Sequence, residues 1–396
     1  MTSTGTAVPF GDPRVAHYWR SVSGLHPFAV QRRVLHVAAP GHEGVFRYVR
    51  EAATFQQQGG WDVHVAAPAG QGADEHVPAH VWAATEGGSP GSLAESRALR
   101  RIVDELAPEV VVLHGSRAGL SGRLALRGSR PTVYLPHVWP FVFLPSTRAS
   151  AAGRWERHAA RWTNLIVAVS EAQVTATVRN GIHAPLAMVH NPVPTGWAPA
   201  SREERAQARR RLGLGSEPLA VSVGRLTWQK GHDVLLKAWP AVRGEAPDAT
   251  LAIVGDGPER GSLASSLPPG VTLAGDVANA RDWVSAADVV VLPSRWEGMS
   301  LAMLEAMAAS RAVVITAVAG SEVVAKAEAG AVVPVGNDRE LAAAVARRLT
   351  GGADNDVEGR RGAAHVARFN DRVGCFLRLS AYIGRAHVFG VPAGRE

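Results

Sequence analysis

Several features that usually decide a protein's class are scarce in this sequence. Cys375 is the single cysteine among 396 residues, which excludes an internal disulfide and points to a reducing compartment. No uninterrupted apolar stretch approaches the roughly 18 residues of a membrane span. The opening MTSTGTAVPFGDPRVAHYWR lacks the apolar core and cleavage pattern of an export signal. A cytoplasmic location is therefore expected. Lysine is almost missing, with Lys230, Lys237 and Lys326 against 39 arginines. No basic block is interleaved with aromatics, and zinc-finger and RNA-recognition signatures are absent, which argues against nucleic acid as a partner.

What is present reads as globular. Hydrophobic residues make up 46% and charged residues 19%, and the length suits two domains with cores of their own. The net charge of +7 is uneven, with +5 carried by residues 1–195 and +2 by residues 196–396. Such an excess suits an anionic substrate or an anionic membrane surface. After an N-terminal segment (1–32) whose role is not readable, short branched runs alternate with helical stretches. RVLHVAA, WDVHVAAP, VVVLH, PTVYLP and NLIVAVS read as strands of a first domain, 33–195. HNPVPTGWAPAS then concentrates Pro and Gly and reads as a linker. PLAVSVG, ATLAIVG, VTLAG, DVVVLP, AVVIT and AVVPV belong to a second domain, 196–370. A last helix and tail, 371–396, is expected to pack back toward the first. The pattern predicts an α/β protein of two doubly wound, Rossmann-like domains facing each other across a cleft. Ligands of such sheets bind beyond the carboxyl ends of the strands, so the cleft is the expected site.

Residues 293–308, PSRWEGMSLAMLEAMA, pose a chemical problem at one of those strand ends. Gly298 breaks the strand and Ser300 is placed to cap a helix, leaving Glu297 on the turn and Glu305 about one turn inside. Leu301, Ala302, Ala308 and Ala309, three and four residues away, give Glu305 no cationic neighbour. It must face water or be supplied with hydrogen-bond donors, because a shielded carboxylate without them costs several kcal/mol. VSVGRLTWQKG places Arg225 and Lys230 after another strand, where two cations can hold a diphosphate or simply be solvated. APGHEGVFRYV sets Gly41 and Gly44 at a helix start, where a phosphate can approach the backbone; a dinucleotide fingerprint would need a third glycine. His137, in YLPHVWPF, sits at a strand end beside aromatics. Pro78 disrupts any helix that would align His76 with His80 for a metal. Asp354 and Asp356 read as solvated residues of a Gly-rich loop between helices. No metal site or cofactor is expected.

With GRLTWQKG and EGMSLAMLE found in that order, the chain resembles the retaining glycosyltransferases of family 4, which have the GT-B fold. GVFRYV, YLPHVWPF, IVAVSEAQ, VHNPV, IVGDGPE and VTLAGDV extend the likeness from about residue 33 to about 370. The resemblance implies a nucleoside-diphosphate sugar as donor and a glycan or lipid-linked acceptor, in the synthesis of a cell-surface polysaccharide or glycolipid. It implies that Glu305 accepts from ribose hydroxyls and Glu297 from sugar hydroxyls. The turn at Gly298 and the amides of Met299, Ser300 and Leu301 would face the sugar or diphosphate. Arg225 and Lys230 would neutralise the leaving diphosphate, His137 would touch the transferred sugar, and Gly44 would let backbone approach the phosphate. Metal-independent transfer is implied. Ser310-Arg311 stands where the family commonly has Gly then Pro, which predicts a longer helix and a shifted next strand. Gly44 lies in GHEGV rather than in a Gly-Gly pair.

Two other readings use the same architecture: a nucleotide-sugar epimerase or phosphorylase, and a non-catalytic nucleotide-sugar-binding subunit. The Glu-x7-Glu element with Arg225 and Lys230 disfavours the first, and the full set of donor residues argues against the loss of activity that the second requires. GRWERHAARWT (153–163) reads as a helix carrying Arg154, Arg157 and Arg161 near one face, with Trp155 and Trp162 nearby. Such a helix is either an ordinary solvated face or a dock on the anionic inner surface of the plasma membrane.

Overall fold

Short runs of Val, Leu and Ile fold as strands because branched side chains suit a pleated surface covered on both faces. The computed structural model describes residues 32–39, 43–69, 77–82, 84 and 93–386. Residues 1–31, Gly41 and His76 lie outside the described residues. The chain divides into two compact units. One ends at Asn191 and resumes from Arg372; the other is Pro192–Asp371.

The first unit holds β1 (Arg33–Ala38), β2 (Asp62–Ala67), β3 (Ala79–Val81), β4 (Val110–His114), β5 (Thr132–Leu135), β6 (Leu165–Ala168) and β7 (Leu186–Met188). They form a parallel sheet in the order β3-β2-β1-β4-β5-β6-β7. Val34 and Ala38 of β1 join one buried layer with Phe46, Tyr48 and Phe55 of the helix Glu43–Gln58. Leu35 and Val37 join the opposite layer with Leu99, Val103 and Trp139. The helix Arg372–Gly384 completes the first layer: Cys375, Phe376, Leu379 and Ile383 are buried in it. The Phe376 ring lies 5.7 Å from both Tyr48 and Phe55, and Arg372 Nε donates to Glu51 at 3.3 Å. Burying side chains of this size contributes about 1.5–3 kcal/mol each, which holds the helix here although the whole second unit intervenes in sequence.

The second unit holds β8 (Leu219–Val223), β9 (Thr250–Val254), β10 (Val271–Gly275), β11 (Val289–Leu292), β12 (Ala312–Thr316) and β13 (Gly330–Val333). They too are parallel, in the order β10-β9-β8-β11-β12-β13. Leu235, Trp239 and Val242 of the helix His232–Glu245, with Leu341 and Val345 of the helix Asp338–Thr350, cover one face. Both units are therefore Rossmann-like α/β sheets. In each, the strand order reverses at one place, between β1 and β4 and between β8 and β11. The loops leaving those strand pairs diverge and open a crevice at the carboxyl ends.

Two expectations need correction. Ser310 does not lengthen its helix, which runs Leu301–Ala308; Ser310 takes a left-handed φ of 58°. It adopts the conformation glycine usually supplies after a helix, and the chain turns there toward β12. Asp354 and Asp356 are not in a loop between helices but in the first turn of the helix Ala353–Phe369, where carboxylates complement the helix dipole.

Candidate active site

The crevice between β8 and β11 gathers most of the residues singled out from the sequence. β8 ends at Val223, and Gly224, Arg225 and Lys230 follow on the loop into the helix His232–Glu245. β11 ends at Leu292, and Glu297, Gly298, Met299 and Ser300 follow on the loop into the helix Leu301–Ala308. Two glycines hold these loops against their neighbours. Gly231 has φ 66°, and a Cβ there would stand 2.1 Å from the Pro293 carbonyl oxygen. Gly320 has φ 87°, and a Cβ there would stand 2.8 Å from Met299 Cα. Only glycine permits both that backbone conformation and that approach. Arg295 N–H to the Gln229 carbonyl at 2.7 Å and Gln229 Nε2 to the Trp296 carbonyl at 3.0 Å tie the loops together.

The two loops meet chemically at Lys230 and Glu297. Lys230 Nζ lies 2.6 Å from Glu297 Oε1, with the side chains 22% and 10% exposed. Ser294 Oγ donates to the same oxygen at 2.8 Å. With so little water at the pair, losing either partner would leave a shielded charge uncompensated. This pairing was not read from the sequence, which assigned the lysine and the glutamate to different parts of a ligand. Arg225 is exposed on the same loop.

At the start of the helix Leu301–Ala308, Ser300 Oγ accepts from the Met303 amide at 3.4 Å. The amides of Met299, Ser300 and Leu301 lie at the approach to this N-terminus, where the helix dipole favours negative charge. Glu305 sits a turn deeper and is 6% exposed. The site thus combines two cations, a helix N-terminus and two shielded carboxylates, the equipment to hold an anion joined to a group rich in hydroxyls. Among the described residues, no three His, Cys, Asp or Glu side chains gather into a metal-binding group.

His137 and Gly44 belong to the first unit. Gly44 is the exposed second residue of the helix Glu43–Gln58, which follows β1. His137 follows β5 and is 9% exposed. It is the centre of a three-residue turn, closed by Val138 N–H to the Pro136 carbonyl at 2.6 Å. Its φ is 54°. Such a turn is strained for a non-glycine residue, by about 1–3 kcal/mol. Gln173 clamps it by donating from Nε2 to the His137 carbonyl, while its Oε1 accepts from the Val169 amide at 2.9 Å. Behind His137 stand two further buried histidines, His114 at the end of β4 and His36 in β1. Burial pushes the His36 imidazole down to about 4. Burial, with His36 and His137 adding, holds His114 well below the usual histidine range. Sequence reading singled out neither, although a histidine inside the apolar run RVLHVAA was the available signal.

Paired parallel α/β sheets with a ligand crevice at the switch point define the class, a two-domain fold of the GT-B type. Comparison with known proteins narrows it. Residues 42–197 match the family model for Glycosyltransferase Family 4, and residues 217–351 match the model for Glycosyl transferases group 1. The chain belongs to this family of GT-B glycosyltransferases. It is 30% identical over 209 residues to an α-D-kanosaminyltransferase of Streptomyces kanamyceticus, covering 50% of this chain and 54% of that protein. It is 34% identical over 177 residues to a GDP-mannose-dependent α-(1-6)-phosphatidylinositol monomannoside mannosyltransferase of Mycobacterium tuberculosis, covering 40% and 45%. The chain thus spans about half the length of these relatives. In fold it is similar to Anabaena HepE solved with UDP and glucose, with TM-score 0.74, 21% identity and coverage of 88% and 98%. It is also similar to sucrose-phosphate synthase from Thermosynechococcus elongatus, with TM-score 0.77, 20% identity and coverage of 91% and 100%.

Proposed function

We propose that the protein is a retaining, metal-independent glycosyltransferase that moves a sugar from a nucleoside-diphosphate sugar to a glycan or lipid-linked acceptor. The observation that carries this reading is the meeting of Lys230 and Glu297 at 2.6 Å beside a helix N-terminus, at the point where the strand order reverses. The diphosphate lies against Arg225, Lys230 and the amides of Met299, Ser300 and Leu301. Lys230 has three N–H groups, so it can keep Glu297 while donating to phosphate. Glu297, fixed by Lys230 and Ser294, accepts from sugar hydroxyls, and Glu305 accepts from the ribose hydroxyls. Gly298 leaves room for the sugar at the turn. Gly44 admits backbone to the phosphate, and His137 contacts the transferred sugar.

In the transfer step the bond from C1 of the sugar to the phosphate oxygen breaks, and its electron pair stays on the phosphate. The acceptor hydroxyl attacks C1 from the same face, and its proton passes to the departing phosphate. Negative charge therefore grows on the diphosphate, where two cations and a helix dipole are already in place. Preorganised charge of this kind is usually the largest protein contribution to rate. Because these groups supply the positive charge, no metal is required in this scheme. Catalysis takes place on the cytoplasmic side, with the protein docked on the inner face of the plasma membrane. Arg154 and Arg157, exposed on the helix Ser146–Ala159, and Arg161, exposed on the turn that follows it, support the dock. Among the described residues no helix is long and apolar enough to cross a membrane.

Calorimetric titration with UDP, GDP and ADP, followed by transfer assays with the matching sugars, tests the reading. One diphosphate should bind at micromolar concentration, and its sugar should be transferred with the anomeric configuration kept. Binding without transfer to any acceptor would favour a non-catalytic subunit, and interconversion of the sugar without an acceptor would favour an epimerase.

A further inference from the structure

Buried polar side chains in the first unit form a file that ends at His137. Gln56 Oε1 lies 2.8 Å from His36 Nε2, His36 Nδ1 lies 2.9 Å from His114 Nε2, and His114 Nδ1 lies 3.1 Å from His137 Nε2. Gln56 and His36 are fully buried and His114 is 1% exposed. The rings stack in sequence, with centroids 5.1 Å and then 5.4 Å apart.

Every link in such a file needs one proton and one lone pair, and a neutral imidazole has one nitrogen of each kind. The tautomer at one end therefore dictates the tautomer at the other. At the inner end the partner is the carbonyl oxygen of Gln56, which accepts, so His36 carries its proton on Nε2. Its Nδ1 then accepts from His114 Nε2–H, and His114 Nδ1 accepts from His137 Nε2–H. Burial of the first two rings, which lowers both pKa values, keeps the file neutral. An amide turned by half a rotation would reverse every link.

We propose that Gln56 is a positioning residue which, through His36 and His114, holds His137 as the neutral Nε2–H tautomer with Nδ1 as its acceptor side. Resting on the donor reading above, Nδ1 accepts a hydrogen bond from a hydroxyl of the transferred sugar. The polarity matters chemically. A lone pair drawing on a hydroxyl proton raises electron density on that oxygen and favours the positive charge that develops on the ring. An N–H donor in the same place would oppose it.

Neutron diffraction from crystals of the full chain exchanged into heavy water reads the file directly. Deuterons are expected on Nε2 of His36, His114 and His137; deuterons on Nδ1 of these rings would overturn the proposal. Two variants read its consequence with the donor identified by the nucleotide screen. Gln56→Leu removes the acceptor and should lower kcat/KM about tenfold, the worth of one hydrogen bond, with affinity for the bare nucleoside diphosphate unchanged. Gln56→Asn keeps a neutral amide acceptor on the same backbone position and should restore part of the activity. Equal losses in both variants would overturn the role of Gln56 even with the expected deuterons. If the deuterons are as expected but His137→Ala transfers sugar at the parent rate, the contact with sugar is wrong and only the structural file survives.

Discussion

Removing Lys230 perturbs two quantities that the structure allows to be separated. Lys230→Met keeps most of the apolar stem, which runs beside Gly224, where an added Cβ would stand 3.4 Å from Lys230 Cδ, and deletes the ammonium. Glu297, 9% exposed in the intact protein, is then left with Ser294 Oγ as its remaining donor among these contacts. Breaking a fully buried pair costs about 3–5 kcal/mol. Because the Lys230 side chain is 22% exposed, water relieves part of this, and a loss of about 1–2 kcal/mol is expected. The catalytic loss should be larger. The ammonium faces charge that grows only as the diphosphate departs, and losing such a donor costs about 3 kcal/mol, or on the order of a hundredfold in kcat. Glu297→Gln supplies the contrast, since it keeps a hydrogen-bond acceptor for Lys230 and removes only charge. Urea melts and steady-state kinetics of Lys230→Met, Glu297→Gln and the double variant complete a cycle. The expected pattern is strong coupling in stability together with a large kcat loss in both variants lacking Lys230. A Lys230→Met protein that melts lower yet transfers at the parent rate would show that the ion pair is only a fastening between loops, and the catalytic role would be withdrawn.

Glu305→Gln should weaken binding of the nucleoside diphosphate roughly ten- to a hundredfold by calorimetry, because hydrogen bonds to a charged acceptor are worth about 1.5–3 kcal/mol; unchanged affinity would remove the ribose assignment. Arg225→Ala should lower kcat/KM on the order of a hundredfold, and transfer at the parent rate would exclude its contact with the diphosphate. Transfer should survive EDTA; complete loss restored by magnesium or manganese would defeat the metal-free scheme. Burial, with Lys230 nearby, pushes His232 down from 6.5 to about 4. An unfolded chain therefore takes up this proton before the folded one, so stability is full above about pH 6.5 and falls as the pH drops toward about 4, by up to about 1.4 kcal/mol per unit. Urea melts at pH 7 and pH 5 check this, and His232→Asn should remove its share of the slope, leaving that of His36 and His114. Co-sedimentation with vesicles should rise with anionic lipid and fall with salt; binding indifferent to both would remove Arg154 and Arg157 from a membrane role.

Much of this protein was legible in its sequence because the signals are local. Runs such as VVVLH and DVVVLP specify strands buried on both faces through their own side chains, and Gly298 and Ser300 mark a turn and a helix cap within a few residues. The same locality exposed the unusual placement of Glu297 and Glu305. Other features depend on residues distant in the chain and were decided by the tertiary structure alone. Lys230 and Glu297 become a pair only because β8 and β11 are neighbours in the sheet. His36, His114 and His137 form one file only because β1, β4 and β5 lie side by side. Ser310 reads as a residue that extends a helix, yet it takes the left-handed region at the turn between its helix and β12. Propensity is a weak local preference, and the burial of a whole sheet outweighs it.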